Sequence, residues 1–364
     1  MVIRNVDNDK LAICIVSEFP PPPGGIGQQA RLLSDLLKEE GYLIYEVPTN
    51  INLKGRISKL QHLKYLKTII ALSYFLRRLI YSIPKVEIVH ILASSYLNFF
   101  LFTIPAILAG TCFKKKIIVH YRGGAADSFI KKWKGFVKFP IKMAHHLLVP
   151  SGFLYSIFMK HGFQPVIVPN IANLSLFQFK DRNDFCPRLF IARHLEPIYN
   201  ISCAIRAFTL IRNHYPNAQL IIAGSGSQEK HLKRLVDEYH CAEAVSFLGR
   251  VPNDEIVKWY HEADIVINTS NVDNMPISIL EAFASGCPVV STRAGGIPFL
   301  IENNKTGILV GLDDYKGVAD AVRRIVEHPK ETREMVRLAK KRVEMFSWRE
   351  IRKKILKVYG VRRH

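Results

Sequence analysis

A chain of 364 residues is longer than one ordinary hydrophobic core supports, so two domains of about 150–200 residues are expected. Hydrophobic residues make up 48% of it, which excludes a disordered protein. Its six cysteines (Cys14, Cys112, Cys186, Cys203, Cys241, Cys287) form no Cys-x-x-Cys pair, which fits neither a zinc cage nor a disulfide framework and reads as reduced thiols of a cytoplasmic protein. The net charge of +20 is focused: residues 51–142 carry 17 basic and 2 acidic side chains, and residues 333–364 carry 12 and 3. Such a balance attracts nucleic acid, acidic substrates or an anionic membrane surface.

The first ten residues contain no apolar leader, so no signal peptide is expected. Leu11–Ser17 reads as a buried strand, followed by a proline-glycine loop, Pro20–Gly27, and an amphipathic helix from about Gln28 to Glu40. Strands are expected at Leu43–Val47, Glu87–Leu92, Lys116–His120, Leu147–Pro150 and Val166–Val168. Leu60–Ile83 is both apolar and basic, and reads either as a solvated helix face or as an interfacial membrane helix. Tyr96–Phe113 is interrupted by Asn98, Pro105 and Gly110 and reads as a buried core helix rather than a span. Val168-Pro-Asn-Ile-Ala-Asn173 looks like a hinge.

Strands resume at Arg188–Ala192, Gln219–Ala223, Val245–Leu248, Ala263–Thr269, Pro288–Ser291 and Gly307–Val310, with a helix at about Ser202–His214. Apolar runs alternating with helical stretches make this an α/β chain of two doubly wound, Rossmann-like halves, whose ligands lie at the carboxyl ends of the strands. The expected domains are 1–170, 171–345 and a basic C-terminal helix, 346–364, that packs back on the first.

The richest stretch is Asn271-Val-Asp-Asn-Met-Pro-Ile-Ser-Ile-Leu-Glu281-Ala-Phe-Ala-Ser-Gly286. A strand ending at Thr269 runs into a polar loop and then a helix with Pro276 in its first turn and Gly286 past its end. Free amides near Met275–Ser278 offer a place for a phosphate or diphosphate. Glu281 lies where a carboxylate can accept the vicinal hydroxyls of a ribose, eight positions after Asp273. Taken alone, the same residues also fit loop capping by Asp273 and helix solvation by Glu281.

Asp273 to Glu281, continuing through Ala-Phe-Ala-Ser-Gly-Cys-Pro-Val-Val-Ser-Thr-Arg-Ala-Gly-Gly-Ile-Pro298, resembles the E-x7-E region of glycosyltransferase family 4, retaining enzymes of GT-B fold. Phe19–Gly27, Val149-Pro-Ser-Gly152, Val168-Pro-Asn170, Ile222-Ala-Gly-Ser-Gly226 and Phe247-Leu-Gly-Arg-Val251 are similar to that family's first loop, crossover and nucleotide-binding turns, in the same order. The resemblance implies two Rossmann-like domains facing an interdomain cleft. It implies that Glu281 holds the ribose, that Asp273 contacts the donor sugar, and that Asn274, Met275, Pro276 and Ile277 line the diphosphate and sugar. Gly224 and Arg250 would belong to the nucleotide turns, and Gly25 and Gly27 would let backbone approach the phosphates. Arg193 would bind the diphosphate, and His120 would lie near the reacting sugar, although it also fits a satisfied histidine ending a strand. No metal and no cofactor is implied beyond a UDP- or GDP-sugar co-substrate.

Two departures stand out. The family's lysine five residues after its arginine is missing, since Ile198-Tyr199-Asn200 occupies that region, which leaves Arg122 or Arg250 as candidate substitutes. Aspartate also replaces glutamate at 273. The expected function is retaining transfer of a hexosyl unit to a glycan or lipid-linked acceptor, on the cytoplasmic face of an anionic membrane and without nucleic acid. A catalytically weak sugar-nucleotide binder is the alternative. Gly25-Ile-Gly27-Gln-Gln-Ala30 with Glu46 also fits a dinucleotide-dependent oxidoreductase, and the charge alone a nucleic-acid binder. Asp7-Asn8-Asp9 matches a metal-chelating D-x-D of a different glycosyltransferase fold and reads as coincidence.

Overall fold

A computed structural model describes residues 11–21, 24–50, 64–252 and 254–361 of the protein. Asp7-Asn8-Asp9, Pro22, Pro23 and residues 60–63 lie outside the described residues. The chain folds as two compact units: one runs up to Ile171 and takes in the segment from Lys353 onward, and the other is Ala172–Arg352.

The first unit contains β1 (Ala12–Ser17), α1 (Gly25–Glu39), β2 (Leu43–Pro48), α2 (Lys64–Ser82), β3 (Ile88–Ala93), α3 (Ile104–Cys112), β4 (Lys116–Tyr121), α4 (Ala126–Lys132), α5 (Lys134–Met143), β5 (His146–Val149), α6 (Gly152–Lys160) and β6 (Val166–Ile167). Its sheet runs β2-β1-β3-β4-β5-β6, every pairing parallel. All six residues of β1 and of β3 are buried, as a central parallel strand covered on both faces requires. From β1 the chain moves to one side for β2 and to the other for β3, so the topological switch point lies between β1 and β3.

Two local expectations are corrected. The helix expected from Gln28 starts at Gly25, because the Gln28 amide already donates to the Gly24 carbonyl at 2.9 Å; glycines are poor helix formers by propensity, yet a first turn asks only for their backbone. The stretch expected as one helix at Tyr96–Phe113 is helical without a break over 97–112, but it is not α-helical throughout. A π-helical turn, Phe99–Thr103, runs straight into α3, and Pro105, which has no amide to donate, follows directly on that turn.

The second unit contains β7 (Arg188–Ala192), α7 (Ile201–His214), β8 (Gln219–Ala223), α8 (Glu229–Glu238), β9 (Val245–Gly249), α9 (Ile256–Glu262), β10 (Ile265–Asn268), α10 (Ile277–Ala284), β11 (Val289–Thr292), β12 (Ile308–Val310), α11 (Tyr315–Glu327), α12 (Pro329–Val343) and the start of α13 (Trp348–Tyr359). The sheet order β12-β11-β10-β7-β8-β9, again all parallel, sets the switch point between β7 and β10. Apolar clusters cover both faces of this sheet. The expected break at 346 is corrected: α13 starts at Trp348, and the unit boundary falls inside it, after Arg352.

Candidate active site

At the switch point of the second unit, β7 hands over to Arg193 and β10 to the loop that leads into α10. Arg193 is ion-paired with Asp273 from that loop. Its guanidinium also donates to Ser270 Oγ at 3.3 Å, and its Cζ stands 4.3 Å from the centre of the Tyr199 ring. Burial depresses the arginine's pKa, against the opposing influence of Tyr199, Tyr260 and Glu281. Arg193 Nε is buried with no hydrogen-bond partner, a donor left over for a ligand.

Glu281 sits in the second turn of α10 and accepts a 2.7 Å hydrogen bond, at Oε2, from the hydroxyl of Tyr260 on α9. Tyr260 is fully buried, its ring edge-on to Phe190 of β7 at 4.9 Å. Burial raises the Glu281 pKa, and the Tyr260 hydrogen bond and the Arg193 charge hold it down. Pro276 is the N-cap of α10 rather than a residue of its first turn; its extended ψ of 121° is what proline leaves open just ahead of a helix. Asn274, Met275 and Pro276 are buried and Ile277 half-buried, and just ahead of the positive end of α10 the Asn274 amide donates to Asp273 Oδ1 at 2.8 Å.

Backbone geometry holds these groups in place. Gly224 has φ +154°, and a Cβ there would run into the Arg193 carbonyl; Gly295 has φ +48°, and a Cβ there would run into the Asp273 carbonyl. The Gly296 amide then donates to that same Asp273 oxygen at 2.8 Å. In the region of the missing lysine, Asn200 is left-handed with φ 45°, and its Nδ2 donates to Asp313 Oδ1 at 3.0 Å. The Asn271 amide bonds the Ile198 carbonyl at 2.8 Å, and Thr269 Oγ1 bonds the Asn200 carbonyl at 2.8 Å. The segment 198–200 therefore supplies a ring under Arg193 rather than a second cation.

Arg250, an exposed residue after β9, and Arg122, a half-buried residue after β4, belong to different units. Arg122 donates to Asn170 Oδ1 at 2.5 Å, and burial lowers its pKa to about 9. His120, on β4, is 1% exposed with both ring nitrogens engaged inside the first unit. Its Nε2 lies 3.1 Å from the Val168 carbonyl, which can only accept, so Nε2 carries the proton and Nδ1 accepts. His90 Nε2, 3.4 Å away, is then the donor to His120, and His90 Nδ1 accepts from the Tyr359 hydroxyl at 2.8 Å. His120 is thus a satisfied histidine ending a strand. Together with Arg122 on Asn170, and Gln29 of α1 on both backbone groups of Ile171 (2.9 and 2.8 Å), it anchors the chain just before the unit boundary.

In α1, a Cβ built on Gly25 meets nothing within 4 Å, whereas one on Gly27 would touch the Glu18 carbonyl at 3.4 Å. Glu18, which no sequence motif singled out, leaves β1 at the first unit's switch point; burial raises its pKa against a 2.8 Å hydrogen bond from Asn98. Glu46 is engaged by Arg31, Ser34 and Lys38 at 3.0, 2.6 and 2.5 Å, which occupies the carboxylate that a dinucleotide ribose needs. Among the described residues, no three His, Cys, Asp or Glu side chains gather as a metal site.

Residues 177–342 match the family described as Glycosyl transferases group 1. This second half of the chain is similar to that family. Over 172 residues the chain is 29% identical to the glycogen synthase of Mycobacterium tuberculosis, covering 47% of this chain and 41% of that protein. Over 174 residues it is 35% identical to an uncharacterized glycosyltransferase of Methanocaldococcus jannaschii, covering 48% and 44%. The chain therefore spans less than half the length of these relatives in the matched region. The crystal structure of Anabaena HepE in complex with UDP superposes with a TM-score of 0.74 over 96% of this chain and 100% of that one, at 15% identity. That likeness shows the fold, which is GT-B. The group 1 match contains Arg193, Gly224, Arg250, Asp273 to Ile277 and Glu281, and also Tyr199, Tyr260 and Ser270. No motif pointed to the last three: a tyrosine 21 positions before Glu281 carries no short-range signal of the hydrogen bond it makes.

Proposed function

We propose that this protein is a retaining glycosyltransferase that moves a hexosyl unit from a UDP- or GDP-sugar to a glycan or lipid-linked acceptor. The observation that carries the reading is the meeting of two charged systems at one switch point, Arg193 with Asp273 and Glu281 with Tyr260. In this reading Glu281, oriented by the Tyr260 hydroxyl, accepts the two ribose hydroxyls. Arg193 and the amides at the start of α10 take the charge that grows on the departing diphosphate, the role for which a buried, pre-oriented cation is most effective. Asp273 contacts the sugar from a chain one methylene shorter than glutamate. With Tyr199 in place of a second cation, leaving-group stabilisation falls mainly on Arg193 and the helix end, and a modest turnover is expected.

The same group of residues serves a nucleotide-sugar binder without transferase activity, the second reading, which the single cation favours. A thermal-shift screen of UDP-, GDP- and ADP-sugars, followed by detection of released nucleoside diphosphate, separates the two. Binding with no release supports the second reading. Stabilisation by NAD alone, or by none of the nucleotides, overturns both.

A further inference from the structure

Helices α2, α3 and α5 form one layer on one face of the first sheet. Each connection from β2 onward moves the same way across the sheet, and right-handed crossovers therefore place these helices together, opposite α1. α3 packs against both α2 and α5. Their inner stripes are core: Phe75 and Leu79 of α2, Ala106 and Ile107 of α3, Val137 and Ile141 of α5. Their outer stripes are apolar too. Ile69, Leu76 and Ile80 of α2, spaced i, i+7, i+11 on one line, are 61%, 36% and 61% exposed. Leu108 of α3 is 44% exposed, and Phe136 and Phe139 of α5 are 68% and 69% exposed. One exposed phenylalanine needs no account, but apolar stripes on α2 and α5, with Leu108 on the helix packed against both, do.

The charge around them has one sign. Between Glu46 and Asp181 only Glu87 and Asp127 are acidic, and α2, α3 and α5 contain none. Arg77 and Arg78 of α2, Lys132 of α4, and Lys134 and Lys142 of α5 are all exposed. Among the described residues no helix is long and apolar enough to cross a membrane.

We propose that the outer face of the α2–α3–α5 layer docks on an anionic phospholipid bilayer. Phe136, Phe139 and the aliphatic stripe of α2 enter the interfacial region while the flanking lysines and arginines meet lipid phosphates. A second copy of the chain would bring a like-charged face, and a nucleic acid would engage the cations but leave Ile69, Leu76 and Ile80 in water. The proposal gives the lipid-linked acceptor proposed above a surface, but it stands on the first unit's exposure and charge and not on the donor chemistry.

The test is co-sedimentation of the full-length protein, without donor, with phosphatidylcholine vesicles that do or do not contain phosphatidylglycerol. Binding is expected only to the anionic vesicles. It should fall about tenfold or more in Phe136→Ser/Phe139→Ser, and fall again with added salt and in Lys134→Glu/Lys142→Glu. These positions are exposed, so melting temperature and nucleotide-induced stabilisation should stay those of the unmodified protein, which keeps this test separate from that of the donor site. Absence of binding to anionic vesicles overturns the proposal, as does equal binding by the Phe136/Phe139 variant. So does a dimer that this variant dissolves, or DNA binding that both variants retain in place of vesicle binding.

Discussion

The hydroxyl of Tyr260 donates to Glu281 Oε2 over 2.7 Å, so the carboxylate assigned to the donor ribose is oriented by a fully buried phenol from the neighbouring helix. A hydrogen bond to a charged group contributes about 1.5–3 kcal/mol. Tyr260→Phe should therefore weaken UDP binding about tenfold or somewhat more, and Glu281→Ala should weaken it further. Burial already raises the Glu281 pKa and Tyr260 counters it. Affinity should fall as pH drops through that raised value, and the fall should begin at higher pH in Tyr260→Phe. Calorimetric titration with UDP across acidic pH measures both effects; identical profiles in the two proteins contradict the assignment.

The Arg193–Asp273 pair has only 13% and 12% of its side chains exposed. Removing one partner of a buried pair leaves an uncompensated charge and costs about 3–5 kcal/mol. Asp273→Ala should lower the urea midpoint of the second unit accordingly. Arg193→Lys keeps the charge but loses the guanidinium over the Tyr199 ring, and should reduce turnover more than donor affinity. A variant whose kcat matches that of the unmodified protein would remove Arg193 from the leaving-group role.

Two glycines separate packing from ligand approach. Gly295→Ala forces a side chain to φ +48° and into the Asp273 carbonyl, which should destabilise the second unit by about 1–3 kcal/mol and abolish nucleotide binding. A Cβ on Gly25 meets nothing within 4 Å, so Gly25→Ala should leave the melting temperature unchanged or slightly raised. If activity falls without a stability change, backbone approach at Gly25 serves a ligand; unchanged activity removes it from the site.

The two buried histidines predict acid sensitivity. Burial holds the pKa of His90 down to about 3, with Arg122 adding to it, and holds His120 well below the usual histidine range for the same reason. Both are neutral in the folded state and protonate on unfolding below the ordinary histidine pKa. Their contribution is intact above about pH 6.5 and is lost as pH falls from there toward the depressed values, at about 1.4 kcal/mol per pH unit for each. Urea unfolding followed from pH 7 to pH 5 should show this slope, and Tyr359→Phe should destabilise the first unit by about 1–3 kcal/mol at pH 7 by orphaning His90 Nδ1. A flat response over that range contradicts the neutral His90–His120 pair.

Much of the candidate site's local geometry was legible because its parts are local. Asp273 to Glu281 is one loop and one helix turn, Arg193 directly follows a strand, and Gly286 with φ +75° closes α10 as the spacing expects. Two parallel sheets followed from alternating apolar runs. The start of α1, the π-turn at Phe99–Thr103 and the unit boundary inside α13 after Arg352 were not legible, since each depends on backbone bonds or packing that residue preferences do not encode.

The sequence by itself determined the doubly wound class, the resemblance of the second half to group 1, the absence of a lysine at 198–200 and the concentration of positive charge, all properties of near neighbours in the chain or of composition. Only the tertiary structure decided what the charges face. It set Tyr260 against Glu281 and Tyr199 under Arg193, and turned His120 inward toward His90 and Val168. It also divided each amphipathic helix of the first unit into a buried stripe and an exposed one. Strand order brings together residues tens of positions apart, and a side chain's partner is fixed by that order and not by its neighbours along the chain.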